Sequence, residues 1–502
     1  MEHTNVDADN VKLTVHWLAP AQGDATLLST VDRALQALQG TRVCVMASDA
    51  TSHAEALSAQ ARSILKRAPQ DVVIWAVPDG SLGDWQFHVA SADVSPDGGN
   101  AKITEVIWPA AMVDTHATAL QAVLQILTLS FGVRPGCSEA WLEWMLDILL
   151  RAEACLLELT GELARHAATV LATTVGGAWM ALYQVTSQAE YLRRATDVLD
   201  GALGARPDVV TPAAREALLC VRAQVYLLQG LRDEDAKALK WAVEGFEQAA
   251  QFLPASGSEA WASLCVMQAH ALESLAQLSA DPADVALAVN AYRQALTVYE
   301  ADHHAQRRAA VLSSLGRVLS DAGRRSRDAQ ALQQALCALD EAAQLYEPVQ
   351  QAQVWSQVMH DQGVVLLALG QVQRDPVQFV LAWQALEKAL ALRSRQAQPQ
   401  AWAQTRHHLA SVMLQLGLEN DDADKLRQAT EGFQEALACR SLLTAPRDWV
   451  ATQHALGRAW EALARRELGL EALERAIPCG LRPGCRCTAT TSILTRARSK
   501  AA

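Results

Sequence analysis

Three histidines stand in register. His360, His407 and His454 fall 47 residues apart, each three residues before a small one, Gly363, Ala410 and Gly457. An imidazole can ligate a metal, move a proton or hydrogen-bond an anion. Equivalent positions on neighbouring helix pairs lie on the order of 10 Å apart, whereas a metal–nitrogen bond is about 2 Å. A shared metal is therefore not expected, and a ladder of donors along one face is. His408 lies one residue along, and Arg317 and Arg458 follow Gly316 and Gly457 directly. Together they suit an acidic or C-terminal carboxylate ligand. Gln357 and Gln404, each three residues before a histidine of the series, complete the candidate face.

Other chemistry-bearing residues form weaker patterns. Cys479, Cys485 and Cys487 sit close together near the C-terminus, but a structural zinc site wants four ligands in paired short spacings, and no histidine follows Cys487. No metal or other cofactor is expected. The chain has no Gly-x-Ser-x-Gly elbow and no Gly-x4-Gly-Lys-Ser/Thr loop, and its first predicted strand is not followed by Gly-x-Gly-x-x-Gly. The turn after that strand, Ala19 to Asp24, has one glycine and an acidic residue where a phosphate needs bare amides. Asp49, His53 and Asp79 could meet at the carboxyl edge of a parallel sheet, where α/β proteins place their sites. A recognition or dimerisation module fits that region better than an enzyme.

The elements that position the histidines repeat with them. Trp261, Arg308, Trp355, Trp402 and Trp449 are 47 residues apart, as are Gly316, Gly363, Ala410 and Gly457, and again Gly323, Gly370 and Gly417. A second series places alanine, an apolar residue four later and alanine three after that. It runs from Ala195-Leu199-Ala202 through Ala335-Leu339-Ala342 and Ala382-Leu386-Ala389 to Ala429-Phe433-Ala436. Each unit reads as two helices, for example 401–416 and 423–441, with apolar residues at three- and four-residue spacing. Gly417 is expected to stop the first, and Asn420-Asp421-Asp422 to cap the second. Small residues at fixed positions let the helices approach, and the large residue fills the space between them. The repeated tryptophans are expected to pack between units.

These features resemble the tetratricopeptide repeat family. The resemblance rests on Leu315-Gly316 and Leu456-Gly457 in the first helix and on the Ala-x3-aromatic/Leu-x2-Ala signature in the second. It covers about residues 161–477. Units of 47 residues exceed the family norm of about 34, and the excess is placed in a longer inter-helix connection and an earlier start of the first helix. A HEAT-type array also has units of this length but does not carry both signatures. The resemblance implies an α-solenoid whose first helices line a groove that holds a partner peptide.

Residues 1–113 read differently. Segments 11–18, 42–48, 71–77, 86–91 and 103–108 are rich in Val, Ile and Trp and read as strands. Helical stretches at 24–38 and 52–67 lie between the first three. A small α/β domain with a partly parallel sheet follows, closed by a hairpin through Asp79-Gly80-Ser81. Residues 1–133 hold 14 acidic against 7 basic side chains. Residues 114–160 read as two connector helices that cap the array, which runs over 161–477. Residues 478–502, with five basic and no acidic side chains, are expected to be disordered.

A formal charge of −12 argues against a general nucleic-acid partner. The longest apolar run, residues 117–133, carries Gln121, Gln125 and Ser130 and is too short to enter a bilayer as a span. Ten scattered cysteines and an opening Met1-Glu2-His3 without a basic or apolar leader point to the cytoplasm. The function expected is a non-enzymatic scaffold that binds a peptide or protein in its groove, with self-association possible. Its rivals are a regulatory or sensor subunit of a bacterial-type signalling or defence assembly, and an enzyme or small-ligand binder with its site in the α/β domain.

Overall fold

The computed structural model describes residues 13–467 apart from 20–24, 37–40, 48–53, 68–71, 79–84, 93–100, 109–115, 131–138, 160–161, 204–209, 254–256, 280 and 444. Asp49, His53, the Asp79-Gly80-Ser81 hairpin and the cysteine-bearing tail lie outside these residues. The chain divides into two compact units, 1–291 and 292–502.

The first unit begins with a five-stranded sheet. Its strands are β1 (Leu13–Ala19), β2 (Thr41–Ala47), β3 (Val72–Pro78), β4 (Trp85–Ala92) and β5 (Ala101–Trp108), in the order β2-β1-β3-β4-β5. β1 pairs in parallel with β2 and β3, while β3–β4 and β4–β5 are antiparallel. The central strand reads Val-Val-Ile-Trp-Ala-Val because both of its faces are buried. Val72, Ile74 and Ala76 pack with α1 (Ala25–Gln36) and α3 (Ala117–Ser130). Val73, Trp75 and Val77 pack on the other face with α2 (Ala54–Arg67). His88, directly opposite Trp75 on β4, stacks on it at 5.0 Å and is buried, so it belongs to the core.

Helices α4 (Glu139–Glu158), α5 (Glu162–Thr186), α6 (Ala189–Leu203) and α7 (Pro212–Asp233) continue the core of the α1/α3 face. Next come α8 (Ala236–Ala250), α9 (Glu259–Ser279) and α10 (Pro282–Leu296), within which the unit boundary falls.

The second unit stacks helix pairs. First helices α11 (Ala305–Ser326), α13 (Ala352–Gln373), α15 (Pro399–Glu419) and α17 (Pro446–Glu467) alternate with second helices α12 (Ala329–Leu345), α14 (Pro376–Leu392) and α16 (Ala423–Leu437). Each first helix also touches the next first helix. Leu339, Leu386 and Phe433, with their flanking alanines, have no exposed surface. Each such side chain contributes about 1.5–3 kcal/mol by leaving water. A Cβ on Gly316 would lie 2.6 Å from Leu339, and one on Gly363 2.5 Å from Leu386, so glycine is what lets these helices meet.

The glycines at 323, 370 and 417 do not end the first helices, contrary to the sequence-based expectation. The helices run through them to Ser326, Gln373 and Glu419. A Cβ at these positions would strike Leu332, Phe379 or Leu426 at 2.6–2.8 Å. The glycines are there for close packing against the following helix. Nor is the connection between paired helices longer than usual. In the first two pairs it is two residues, Arg327-Asp328 and Arg374-Asp375, so the added length of the repeat lies in helices of 21–22 residues. Arg327 and Arg374 adopt left-handed backbone, both at φ 55°, and the following aspartate caps the next helix. That cap recurs at Asp235, Asp281, Asp328, Asp375 and Asp422, whose carboxylates accept from backbone N–H groups at 2.8–3.0 Å.

Candidate functional site

The first helices of the second unit present one face to a groove with two adjoining lobes. On α11 the lining residues recur as Arg317, Ser320 or Asp321, and Arg324; on α15 as Gln404, His407 or His408, Ser411 and Gln415. Three- and four-residue steps keep them on one side of each helix. The narrow lobe encloses about 460 Å³ and carries mixed charge: Arg317, Arg324 and Arg440 against Asp321, Asp361 and Asp448. The wide lobe, about 830 Å³, carries Arg324, Arg327, Arg374 and Arg458 and no carboxylate. Arg324, Val364, His407 and His408 line both.

The histidines form a cluster in place of the expected ladder. The His408 ring lies 5.2 Å from His360 and 5.1 Å from His407, and His407 also meets Phe433 edge-on at 5.3 Å. His360 is 1% exposed. Its Nδ1 is 3.2 Å from the Thr405 hydroxyl, whose proton is given to the Ala401 carbonyl, so we assign the ring proton to Nδ1. Burial, and then the charges of Arg393 and Arg440, push His360 down to about 3. Burial and Arg440 push His407 down to about 4, and burial holds His408 well below the ordinary imidazole range. All three are neutral at pH 7, and the buried His407 Nδ1 has no hydrogen-bond partner. His454 is exposed and lines neither lobe.

Beneath the cluster lies a buried guanidinium. Arg393, 4% exposed, donates to Thr405 Oγ1 at 2.6 Å, Gln357 Oε1 at 2.8 Å, and the Ala401 and Ser356 carbonyls at 3.1 and 3.3 Å. Every acceptor is neutral. Gln357 thus holds Arg393, and through its amide Asp361 at 2.9 Å, and does not line either lobe. Burial pushes Asp361 up to about 6, with the Gln357 hydrogen bond opposing. Arg440, 47 residues after Arg393, repeats the arrangement by donating to Thr452 at 2.7 Å; its nearest carboxylate, Asp448, stands off at 4.0 Å. Among the described residues, no group of three or more His, Cys, Asp or Glu side chains is placed to hold a metal ion. No described helix is long and apolar enough to cross a membrane.

No protein-family model and no curated protein sequence matches the chain. Solved structures do. The apo form of the quorum sensor NprR from B. thuringiensis is 10% identical over 73% of this chain and 99% of its own, at a TM-score of 0.38. BtubC from P. vanneervenii is 18% identical over 51% and 94%, at 0.34. The C-terminal part of a TPR repeat-containing protein from Cytophaga hutchinsonii is 12% identical over 57% and 94%, at 0.34. The TPR-like arrangement of helix pairs stands on this chain's own repeat register and packing.

Of the residues singled out from sequence, Arg317, His360, Gln404, His407 and His408 line the narrow lobe, and Arg458 joins His407 and His408 in the wide one. Sequence reasoning missed Arg324, Arg327, Arg374, Arg393 and Arg440. The signal for the last two was present. Tyr299, Tyr346, Arg393 and Arg440 share one repeat position, and Val311, Val358, Thr405 and Thr452 share the position twelve residues on. Arginine replaces tyrosine in the same two units in which threonine replaces valine.

Proposed function

We propose that the second unit is a non-enzymatic binding module that holds a peptide or an extended segment of a partner protein in the groove along its first helices. The observation that carries this reading is the groove itself: two lobes in line, sharing four residues, walled by side chains from successive repeats. Short capped connections and buried Leu/Phe knobs hold those helices in place, so little conformational entropy remains to be lost by the protein on binding. The lining is polar and charged over a few apolar walls at Val364, Leu367 and Val372, which suits a polar segment with occasional apolar anchors.

The test is selection of peptides from a displayed random twelve-residue library on the purified chain. Gln404 is exposed on the narrow lobe and Gln371 on the wide one, so Gln404→Trp and Gln371→Trp block the groove without disturbing the core. Enriched peptides are expected to bind at least tenfold more weakly to one or both blocked variants. Enriched peptides that bind both variants as well as the unaltered chain, or no enrichment at all, overturn the proposal.

A further inference from the structure

The wide lobe concentrates four guanidinium groups, from Arg324, Arg327, Arg374 and Arg458, in one space of about 830 Å³ without a lining carboxylate. Arg324 has a loose contact with Asp321 at 3.7 Å. For Arg327, Arg374 and Arg458, no carboxylate partner occurs among the described residues. Like charges gathered this way repel one another, and nothing in the packing requires them there. Two of the positions make the point more sharply. Arg327 and Arg374 are the left-handed residues that close α11 and α13, both at φ 55°, a conformation in which glycine is the favoured residue and a Cβ is a cost. The equivalent left-handed positions elsewhere among the described residues are Ser187, Glu234 and Asp421, none of them basic and none lining either lobe. A side chain in this conformation is common to these turns, and what sets 327 and 374 apart is a cation at the two copies that line the wide lobe.

We propose, building on the groove reading above, that the wide lobe receives a phosphorylated side chain of the bound peptide. A carboxylate has two oxygens and one charge and satisfies a single guanidinium fork. A phosphomonoester carries close to two charges at pH 7 and three acceptor oxygens, enough for two forks and a further donor. The imidazoles of His407 and His408, which also line the lobe, are uncharged and available as neutral donors. Neither lobe is lined by Phe, Tyr or Trp, so the flat stacking surfaces on which single-stranded nucleic acid depends are missing from the lining. The acidic residues of the narrow lobe, Asp321, Asp361 and Asp448, repel a continuous polyanion and accept a basic or amide-bearing flank. One phosphate beside an uncharged or basic stretch matches both lobes at once.

Fluorescence anisotropy of the full chain with three labelled degenerate nonapeptide pools tests this. The pools carry phosphoserine, serine or glutamate at the central position. The phosphoserine pool is expected to bind at least tenfold more tightly than either other pool. Arg374→Gly is expected to abolish that advantage without lowering Tm, since glycine suits the left-handed backbone there. Arg458→Gln, on a regular helix, is expected to reduce the advantage by threefold or more. The proposal is overturned if glutamate serves as well as phosphoserine, or if the advantage survives both substitutions. It is equally overturned if a 5′-phosphorylated ten-nucleotide oligoadenylate displaces the phosphoserine pool and binds more tightly than it. Loss of phosphoserine preference while library-selected peptides remain sensitive to Gln404→Trp would sink the phosphate assignment and leave the groove reading standing.

Discussion

In the pair α15/α16 the small residue of the first helix is Ala410, and Gly432 faces it from the second helix. In the two preceding pairs the order is reversed, Gly316 with Ala338 and Gly363 with Ala385, always 22 residues apart. A Cβ added to Gly432 would lie 3.6 Å from the Ala410 Cα, an ordinary contact, but 2.9 Å from its Cβ, well inside the usual contact distance of about 3.5–4.0 Å between carbons. Gly432→Ala should therefore cost about 1–3 kcal/mol through overpacking, offset by about 1 kcal/mol of helix propensity. Ala410→Gly should cost about 2 kcal/mol, roughly half from propensity and half from the lost buried methyl. Independent effects would sum to about 3 kcal/mol in the double variant. The exchange instead recreates the arrangement of the neighbouring pairs, in which the propensity changes cancel and the clash is gone. It should fall within about 1 kcal/mol of the unaltered protein, a coupling of about 2 kcal/mol. Thermal unfolding followed at 222 nm resolves this, because 1 kcal/mol moves Tm by about 2–4 °C for a unit of this size. A double variant as unstable as the two singles combined would refute the claim that these pairs are fitted to one another.

Further consequences can be measured on the same protein. Thr405→Val removes the acceptor shared by Arg393 and His360 and should cost about 1–3 kcal/mol through buried unpaired donors. Adding Arg393→Tyr, which copies Tyr346 and Val358 of the preceding unit, should restore most of the loss, and urea midpoints of the single and double variants decide it. Asp375→Ala removes the cap whose carboxylate accepts from Val377 N at 3.0 Å and should lower stability by about 1 kcal/mol; an unchanged Tm would deny the recurrent aspartates their role. Acid should weaken the fold: the lowered pKa values of His360, His407 and His408 give stability that is full above about pH 6.5 and lost as pH falls toward 4. Asp361, raised to about 6, contributes in the opposite sense, its stability full below the ordinary carboxylate range and lost as pH rises through 6. Asp361→Asn should therefore raise Tm most at pH 7 and steepen the decline toward pH 5; a variant whose Tm parallels the unaltered protein at every pH would contradict this.

Much of the architecture was legible because periodicity survives in a one-dimensional string. The apolar run at 72–77 and the Ala-Leu-Ala and Ala-Phe-Ala series report burial directly, and the helices followed from them. The glycines misled. Gly417 sits near the end of an amphipathic stretch, where a stop signal and a packing contact look alike, and only the position of Leu426, which an added Cβ would meet at 2.8 Å, separates them. The histidine register placed a groove on the first helices, yet could not show that His408 draws His360 and His407 into one cluster, since register fixes position along an axis and leaves ring orientation open. Arg327 and Arg374 were invisible for a different reason: an arginine before an aspartate reads as ordinary surface charge until the backbone is known to be left-handed.

What the repeat offers beyond its fold is an internal control. Copies of one template experience nearly the same packing, so a residue that departs in one or two of them is either compensated nearby or serves something outside the template. Ala410 departs and Gly432 answers it, as Gly245 answers Ala223. Arg393 and Arg440 depart and are answered by Thr405 and Thr452, each hydroxyl accepting from its arginine at 2.6–2.7 Å. No such answer meets Arg374 or Arg458 among the described residues, and both open into the wide lobe. A buried arginine whose donors meet hydroxyl, amide and carbonyl oxygens is a structural solution, whereas exposed cations without a carboxylate partner among the described residues are what an anion would find. By that criterion the arginines that build the array separate from those we propose to meet its ligand, a distinction that composition, at −12 overall, conceals.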